Sequence, residues 1–232
     1  MKRLSSYIPN IITCCNLLAG CLACIFALKS TFEEYAFELA SACIIIAAVC
    51  DFLDGLSARL LHAYSPMGKE LDSLSDLVSF GLAPGLMIYT LLSDHLLLPY
   101  GNLSNLAYIA LLIPVAGGLR LAKFNVDDRQ STSFIGLPIP ANALFWIGIC
   151  FADTRNWNPA IVLILIVVFS FLMVSNLPMF SLKTSSLSWK NNQLRYILVV
   201  ISLLLVVWLG LTGLAGAIIA YILLSLIALF RK

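Results

Sequence analysis

Long apolar runs, with little period-two alternation, organise this chain of 232 residues. Several approach the ~20 apolar residues that cross a bilayer as one helix, and short polar segments punctuate them. The runs fall at approximately 8–28, 35–60, 71–92, 103–124, 140–151, 159–174, 194–209 and 214–230. The fifth is short, and on hydropathy alone it can stand by itself, extend toward Phe134 or merge with the sixth. Proline sits where helices begin, at Pro9, Pro140 and Pro159, because the N–H it lacks has no partner in a first turn anyway. The stretches "SDHLLLPYGN" and "DDRQSTSFIGLP" carry the turn formers of loops. The pattern predicts an all-α, polytopic membrane helix bundle of about eight transmembrane helices. With no internal repeat and no soluble appendage, residues 1–232 read as one membrane domain.

Composition supports that class: 61% of residues are hydrophobic, 11% are charged and the mean hydropathy is +0.97. So few charges cannot cover a soluble domain of this size. The net charge of +2 carries no nucleic-acid signal, but its distribution is informative. With the amino terminus in the cytosol, twelve Lys and Arg residues fall on cytosolic segments and only Lys29 and Arg155 on the other side. That bias follows the positive-inside rule and supports an even number of crossings with both termini cytosolic. Merging the fifth and sixth runs would export the basic "SLKTSSLSWK" loop and spoil it. Lys2 and Arg3 precede an apolar run without a small-x-small cleavage point, so this segment reads as a first span rather than a cleaved leader. Six of the seven cysteines lie in the first 50 residues. The pair Cys21-x-x-Cys24 lacks the partners of a zinc site, and packing as small hydrophobes is the expectation. His62 and His95 read as loop residues.

Against this background one stretch stands out, "DFLDGLSARLLHAYSPMGKELDSLSD" at 51–76. At ~100° per residue, Asp51, Asp54, Gly55, Ala58 and Arg59 occupy one helix face of roughly 140°. Asp72 and Asp76 are spaced i,i+4 at the start of the third span. The two helices are consecutive and antiparallel, so their acidic faces can meet just inside the cytosolic surface. An ionised carboxylate costs about 2.5–3.5 kcal/mol at mid-bilayer, so such a cluster needs protons or a divalent cation. All-oxygen ligation suits a hard ion, Mg²⁺, Mn²⁺ or Ca²⁺, better than zinc. Gly55 and Ala58 leave room for a phosphate-bearing group, and Arg59 offers phosphate-matching geometry. The plainer alternative is a solvated helix–loop–helix; the scarcity of charge elsewhere argues against it. Asn10, Thr13 and Asn16 add polarity to the start of the first span, where they line a cavity or, for Asn10, cap the helix. Arg120, Lys123 and Lys183 are cations at cytosolic ends, suited to an anionic substrate group or merely obeying the topology rule.

The spacing D-x2-D-G-x2-A-R-x8-G-x3-D-x3-D is filled by Asp51, Asp54, Gly55, Ala58, Arg59, Gly68, Asp72 and Asp76 without departure. It resembles the signature of the CDP-alcohol phosphatidyltransferase family. The segments "IPNIITCCNLLAG", "VSFGLAPG", "GLRLAKFNV", "FIGLPIPANA" and "LMVSNLPMFSLK" resemble the membrane-embedded phosphatidylserine synthases within it. The resemblance implies transfer of a phosphatidyl group from CDP-diacylglycerol to the hydroxyl of L-serine, releasing CMP. It implies that Asp51, Asp54 and Asp72 hold one or two ions, Mg²⁺ or Mn²⁺ with Ca²⁺ as another occupant. Asp76 would both contact metal and serve as base. Gly55, Ala58, Arg59, Ser65, Gly68, Asn10 and Thr13 would face the CDP-lipid, and Arg120, Lys123 and Lys183 the acceptor. It further implies a plasma-membrane enzyme working at the cytosolic face, with membrane lipids around it, no nucleic-acid partner, and a homodimer by analogy. Two alternatives stay open. One is the same chemistry on glycerol 3-phosphate or an inositol phosphate, with Arg120, Lys123 and Arg129 as the basic cluster. The other is a cation- or proton-coupled transporter, disfavoured because the acids sit at one membrane edge with no counterpart in the second half.

Overall fold

The first helix, α1 (Ile8–Leu28), turns its small and polar residues inward. Pro9, Thr13, Asn16, Gly20, Ala23 and Ala27 recur at steps of three and four and are buried, while Ile11, Leu18 and Ile25 are exposed. Large side chains outside and small ones inside is the arrangement of helices that meet in lipid, where close approach holds them together. The second helix, α2 (Ala36–Leu60), repeats it: Ala36, Ala40, Ile44 and Ala47 face inward, and Ile46, Val49 and Phe52 face out. The computed structural model describes residues 7–30, 33–126, 134–154, 157–180 and 189–230.

The most enclosed long element is the third, Pro66–Asp94. It begins as α3 (Pro66–Asp76), loosens into a π-wound turn over Leu77–Leu82, continues as α4 (Ala83–Thr90) and ends in a second π turn, Leu91–Leu96. Pro84 lacks the N–H that an α-helix would return to the preceding turn, and the Ala83 N–H instead reaches Val78 O. A 3-10-wound stretch, Leu98–Leu111, leads into α5 (Leu112–Val126).

Beyond it come α6 (Ile139–Cys150) and α7 (Pro159–Val174). The buried rings of Phe145 and Phe169 stack with centroids 3.6 Å apart, and Trp146 meets both edge-on while donating to Asn142 Oδ1 at 3.1 Å. The chain closes with α8 (Trp189–Leu209), a short 3-10 turn and α9 (Gly213–Phe230). These two helices fold back on each other where Gly210 adopts φ +61°. The turn is tied to α6 by Thr212, which donates to Phe151 O at 2.8 Å.

All eight expected runs are helical, and the bounds of two, Ile8–Leu28 and Pro159–Val174, coincide with the expected ones. Among the described residues, length and apolar composition alone qualify five helices to cross a membrane, the last being the α8–α9 hairpin counted as one. α6, with 12 residues, is only ~18 Å long at 1.5 Å per residue, short of a ~30 Å hydrocarbon core. Protein rather than lipid surrounds most of its side chains. The fold is all-α as expected, with a two-residue antiparallel ladder added between loops, β1 (Phe134–Ile135) with β2 (Pro178–Met179). It is followed by Gly136 at φ +78°, where any side chain would strike the Met173 carbonyl. All seven cysteines are free, and Cys14, Cys15 and Cys21 lie exposed on the outer face of α1 rather than packed inward.

Candidate active site

The turn between α2 and α3 positions the acidic residues. α2 ends with His62 in the left-handed region at φ +50°, the Ala63 N–H bonding to Ala58 O at 3.0 Å and the His62 N–H to Arg59 O at 3.4 Å. This is the double closure that usually employs glycine. Three residues on, Ser65 caps α3 by accepting the Gly68 N–H at 3.0 Å, with Pro66 in the first helical position. The short turn lays α3 back along α2. Carboxylate oxygens of Asp51, Asp72 and Asp76 then lie within 4.8 Å of one another.

Asp54 stands apart from that trio. It is buried, 6% exposed, and its Oδ2 accepts the Thr13 hydroxyl of α1 at 2.6 Å. The same helix supports Asp76: Asn16 Nδ2 donates to Asp76 Oδ1 at 3.3 Å, while Asn16 Oδ1 accepts from Ser79 Oγ at 2.7 Å. Ser75 completes the seam by donating to Thr13 O at 3.2 Å. Asn16 was visible in the sequence only as a polar residue in an apolar run. Its i,i+3,i+6 series with Asn10 and Thr13 was the available signal.

Among the described residues no lysine or arginine forms an ion pair with any of the four aspartates. Asp72 Oδ1 is buried with no hydrogen-bond partner. An orphaned carboxylate oxygen beside two further carboxylates is costly unless a cation satisfies it. The donor set, hard oxygens only, therefore fits a divalent ion of the Mg²⁺ or Mn²⁺ type.

A cavity of about 520 Å³ opens beside the acids. Pro9, Asn10 and Thr13 line it from α1, Asp54, Gly55 and Ala58 from α2, and Gly68, Lys69 and Asp72 from α3. Ala63, Tyr64, Ser65 and Pro66 of the turn close one side; of these, only Ser65 was expected at the site. A Cβ placed on Gly55 would meet nothing nearer than Arg59 Nη2 at 4.0 Å, so no packing inside the protein demands glycine there. At Gly68, by contrast, a Cβ would lie 2.9 Å from Asn10 Oδ1 and 3.0 Å from Ser65 Oγ. Asn10 thus faces α3; the cap position of α1 is Tyr7, which makes no side-chain cap bond. Arg59 donates Nε to Gly55 O at 2.9 Å at the exposed rim.

The three expected acceptor cations separate. Arg120 is buried, 7% exposed, with its guanidinium 5.8 Å from the Phe124 ring and its Nε unpartnered. It lies within electrostatic reach of Asp76. Lys123, one turn on, points elsewhere: it donates to Asn176 Oδ1 at 2.6 Å and to Val174 O at 3.3 Å, closing the end of α7. Lys183 lies outside the described residues.

Comparison with known proteins agrees with this geometry. The CDP-alcohol phosphatidyltransferase family profile matches residues 6–224. A CDP-diacylglycerol–serine O-phosphatidyltransferase of Bacillus subtilis is 36% identical over 173 residues, 74% of this chain and 89% of that protein. One of Helicobacter pylori is 31% identical over 238 residues, covering 97% of this chain and 94% of its own. One of Methanocaldococcus jannaschii is 38% identical over 144 residues, 62% and 60% of the two chains. With the motif intact, three of its four acids gathered by the fold and the match spanning nearly the whole sequence, the chain belongs to the CDP-alcohol phosphatidyltransferase family, a multi-pass membrane enzyme of phospholipid synthesis.

Proposed function

We propose that this enzyme transfers the phosphatidyl group of CDP-diacylglycerol to the hydroxyl of L-serine, forming phosphatidylserine and CMP in a reaction that requires Mg²⁺ or Mn²⁺. The observation that carries the reading is the clustering of Asp51, Asp72 and Asp76, with an orphaned oxygen on Asp72, at the edge of a cavity that Gly55 leaves open. Asp51, Asp72 and Asp76 would hold the ion, with Asp54 across the cavity wall, where Thr13 holds its carboxylate. When bound, such an ion neutralises charge on the pyrophosphate and on the departing CMP.

The cavity between α1, α2 and α3 receives the CDP end of the lipid, with Arg59 at its rim. Asp76, one oxygen held by Asn16, takes the proton of the acceptor hydroxyl as that oxygen bonds to the phosphatidyl phosphorus and the bond from phosphorus to the CMP oxygen breaks. Arg120 supplies the cation for the acceptor's carboxylate. Among the described residues Arg120 offers a buried guanidinium while Lys123 is committed to α7, which suits a carboxylate better than a phosphorylated acceptor; Arg129 lies outside the described residues.

In the same reading residues 1–232 form one domain that crosses the plasma membrane eight times. Both termini and the site then face the cytosol, as the basic loops favour. The test is CMP release from CDP-diacylglycerol by purified protein in detergent, with L-serine, glycerol 3-phosphate or inositol phosphate as acceptor, with and without chelator. Serine-dependent, chelator-sensitive turnover is expected, and Asp76→Asn should lower it by at least about a hundredfold, the low end for a general base, while retaining part of the lipid binding. Full turnover in that variant removes Asp76 as base; turnover only with another acceptor removes serine.

A further inference from the structure

Resting on that reading of the acceptor, we propose that Tyr221 of the C-terminal hairpin is a positioning residue that sets acceptor affinity by holding the 175–180 strap beside Arg120. The strap follows α7, and three different elements fasten it. From α5, Lys123 binds Val174 O and Asn176 Oδ1. From the β1 side, Gly136 N donates to Leu177 O at 2.8 Å, and Leu137 N donates to Leu172 O, at the end of α7, at 3.0 Å. From α9, the Tyr221 hydroxyl donates to Phe180 O at 3.0 Å, and its ring packs edge-on against the Phe180 ring, centroids 5.2 Å apart.

Tyr221 is 6% exposed and Phe180 is half-buried, so the contact is partly shielded from solvent. The same phenol lies within electrostatic reach of Arg120, as Asp76 does. Arg120 thus neighbours both the acid proposed as base and the tyrosine that anchors the strap. Its Nε has no partner among the described residues, which leaves a donor for a substrate anion. The Tyr221–Phe180 contact joins α9 to the strap, whereas the lipid cavity is lined from α1, α2, α3 and the turn between α2 and α3. A loosened strap should therefore disturb the acceptor and spare the donor.

Tyr221→Phe keeps the ring and removes only the donor. In the full-length enzyme it should raise KM for L-serine about fivefold, the worth of one neutral hydrogen bond. KM for CDP-diacylglycerol and kcat at saturating serine should stay within about twofold, the signature of lost binding without lost chemistry. An unchanged serine KM in Tyr221→Phe overturns the inference. So does an equal rise in both KM values, or failure to recover folded enzyme, either of which makes the contact merely structural. A wild type that uses a different acceptor overturns the serine reading instead, and the same Tyr221→Phe comparison on that acceptor then decides the positioning role.

Discussion

Two glycines serve this protein in opposite ways. At Gly20 a Cβ would press into Ser79, 2.9 Å from its Cα, so the hydrogen atom is what lets α1 touch the helix that carries Asp76. At Gly55 a Cβ would project into open cavity. Gly55→Ala should therefore stabilise α2 by up to about 1 kcal/mol, the helix propensity gained. It should nonetheless raise KM for CDP-diacylglycerol roughly tenfold, because the added methyl takes space meant for the ligand. Thermal unfolding in detergent and CMP-release kinetics on the same preparation would show both; an unchanged KM would mean the open space receives nothing.

At the scale of elements, the site is a product of how α1 lies against α3. Asn16 reaches Asp76 where Gly20 and Ser79 allow the two backbones together, while Thr13 holds Asp54 of α2. Gly20→Ala is expected to cost about 1–3 kcal/mol through overpacking. Because Asn16 would draw away from Asp76, kcat should fall by about tenfold in protein that remains folded, as for a partner lost in the transition state. A variant destabilised to that degree with wild-type kcat would show that α1 holds the fold but not the acids. The element pattern was legible beforehand since apolar runs and prolines are local signals, and the observed helix bounds differ from the expected runs mostly at their ends. The β1–β2 ladder was not, because two residues give no periodicity to read.

For the whole molecule, the large apolar outer face of α1 and α2 recurs on α8, whose Val207 and Trp208 are 78% and 88% exposed. Such side chains belong in lipid rather than water. The proposed eight-crossing topology makes a plain prediction. A reporter active only in the cytosol should work when fused after residue 232 or inserted in the 61–65 turn, and should fail when inserted near residue 30 or 155. A silent carboxyl-terminal fusion that is expressed at normal level would break the even count and with it the shared cytosolic face.

What the sequence determined by itself was chemical and local. The i,i+3 and i,i+4 spacing of Asp51, Asp54, Asp72 and Asp76 puts each pair on one face of its own helix wherever that helix lies, since helical periodicity needs no tertiary contact. The tertiary structure decided which groups meet. Asp54 turns to Thr13 while the other three gather, Asn16 becomes the support of Asp76, and Lys123 caps α7 while its neighbour Arg120 stays buried and unpaired at Nε. Those choices depend on the rotation and approach of helices distant in sequence. Packing of small residues across their interfaces sets both, and no local pattern encodes it.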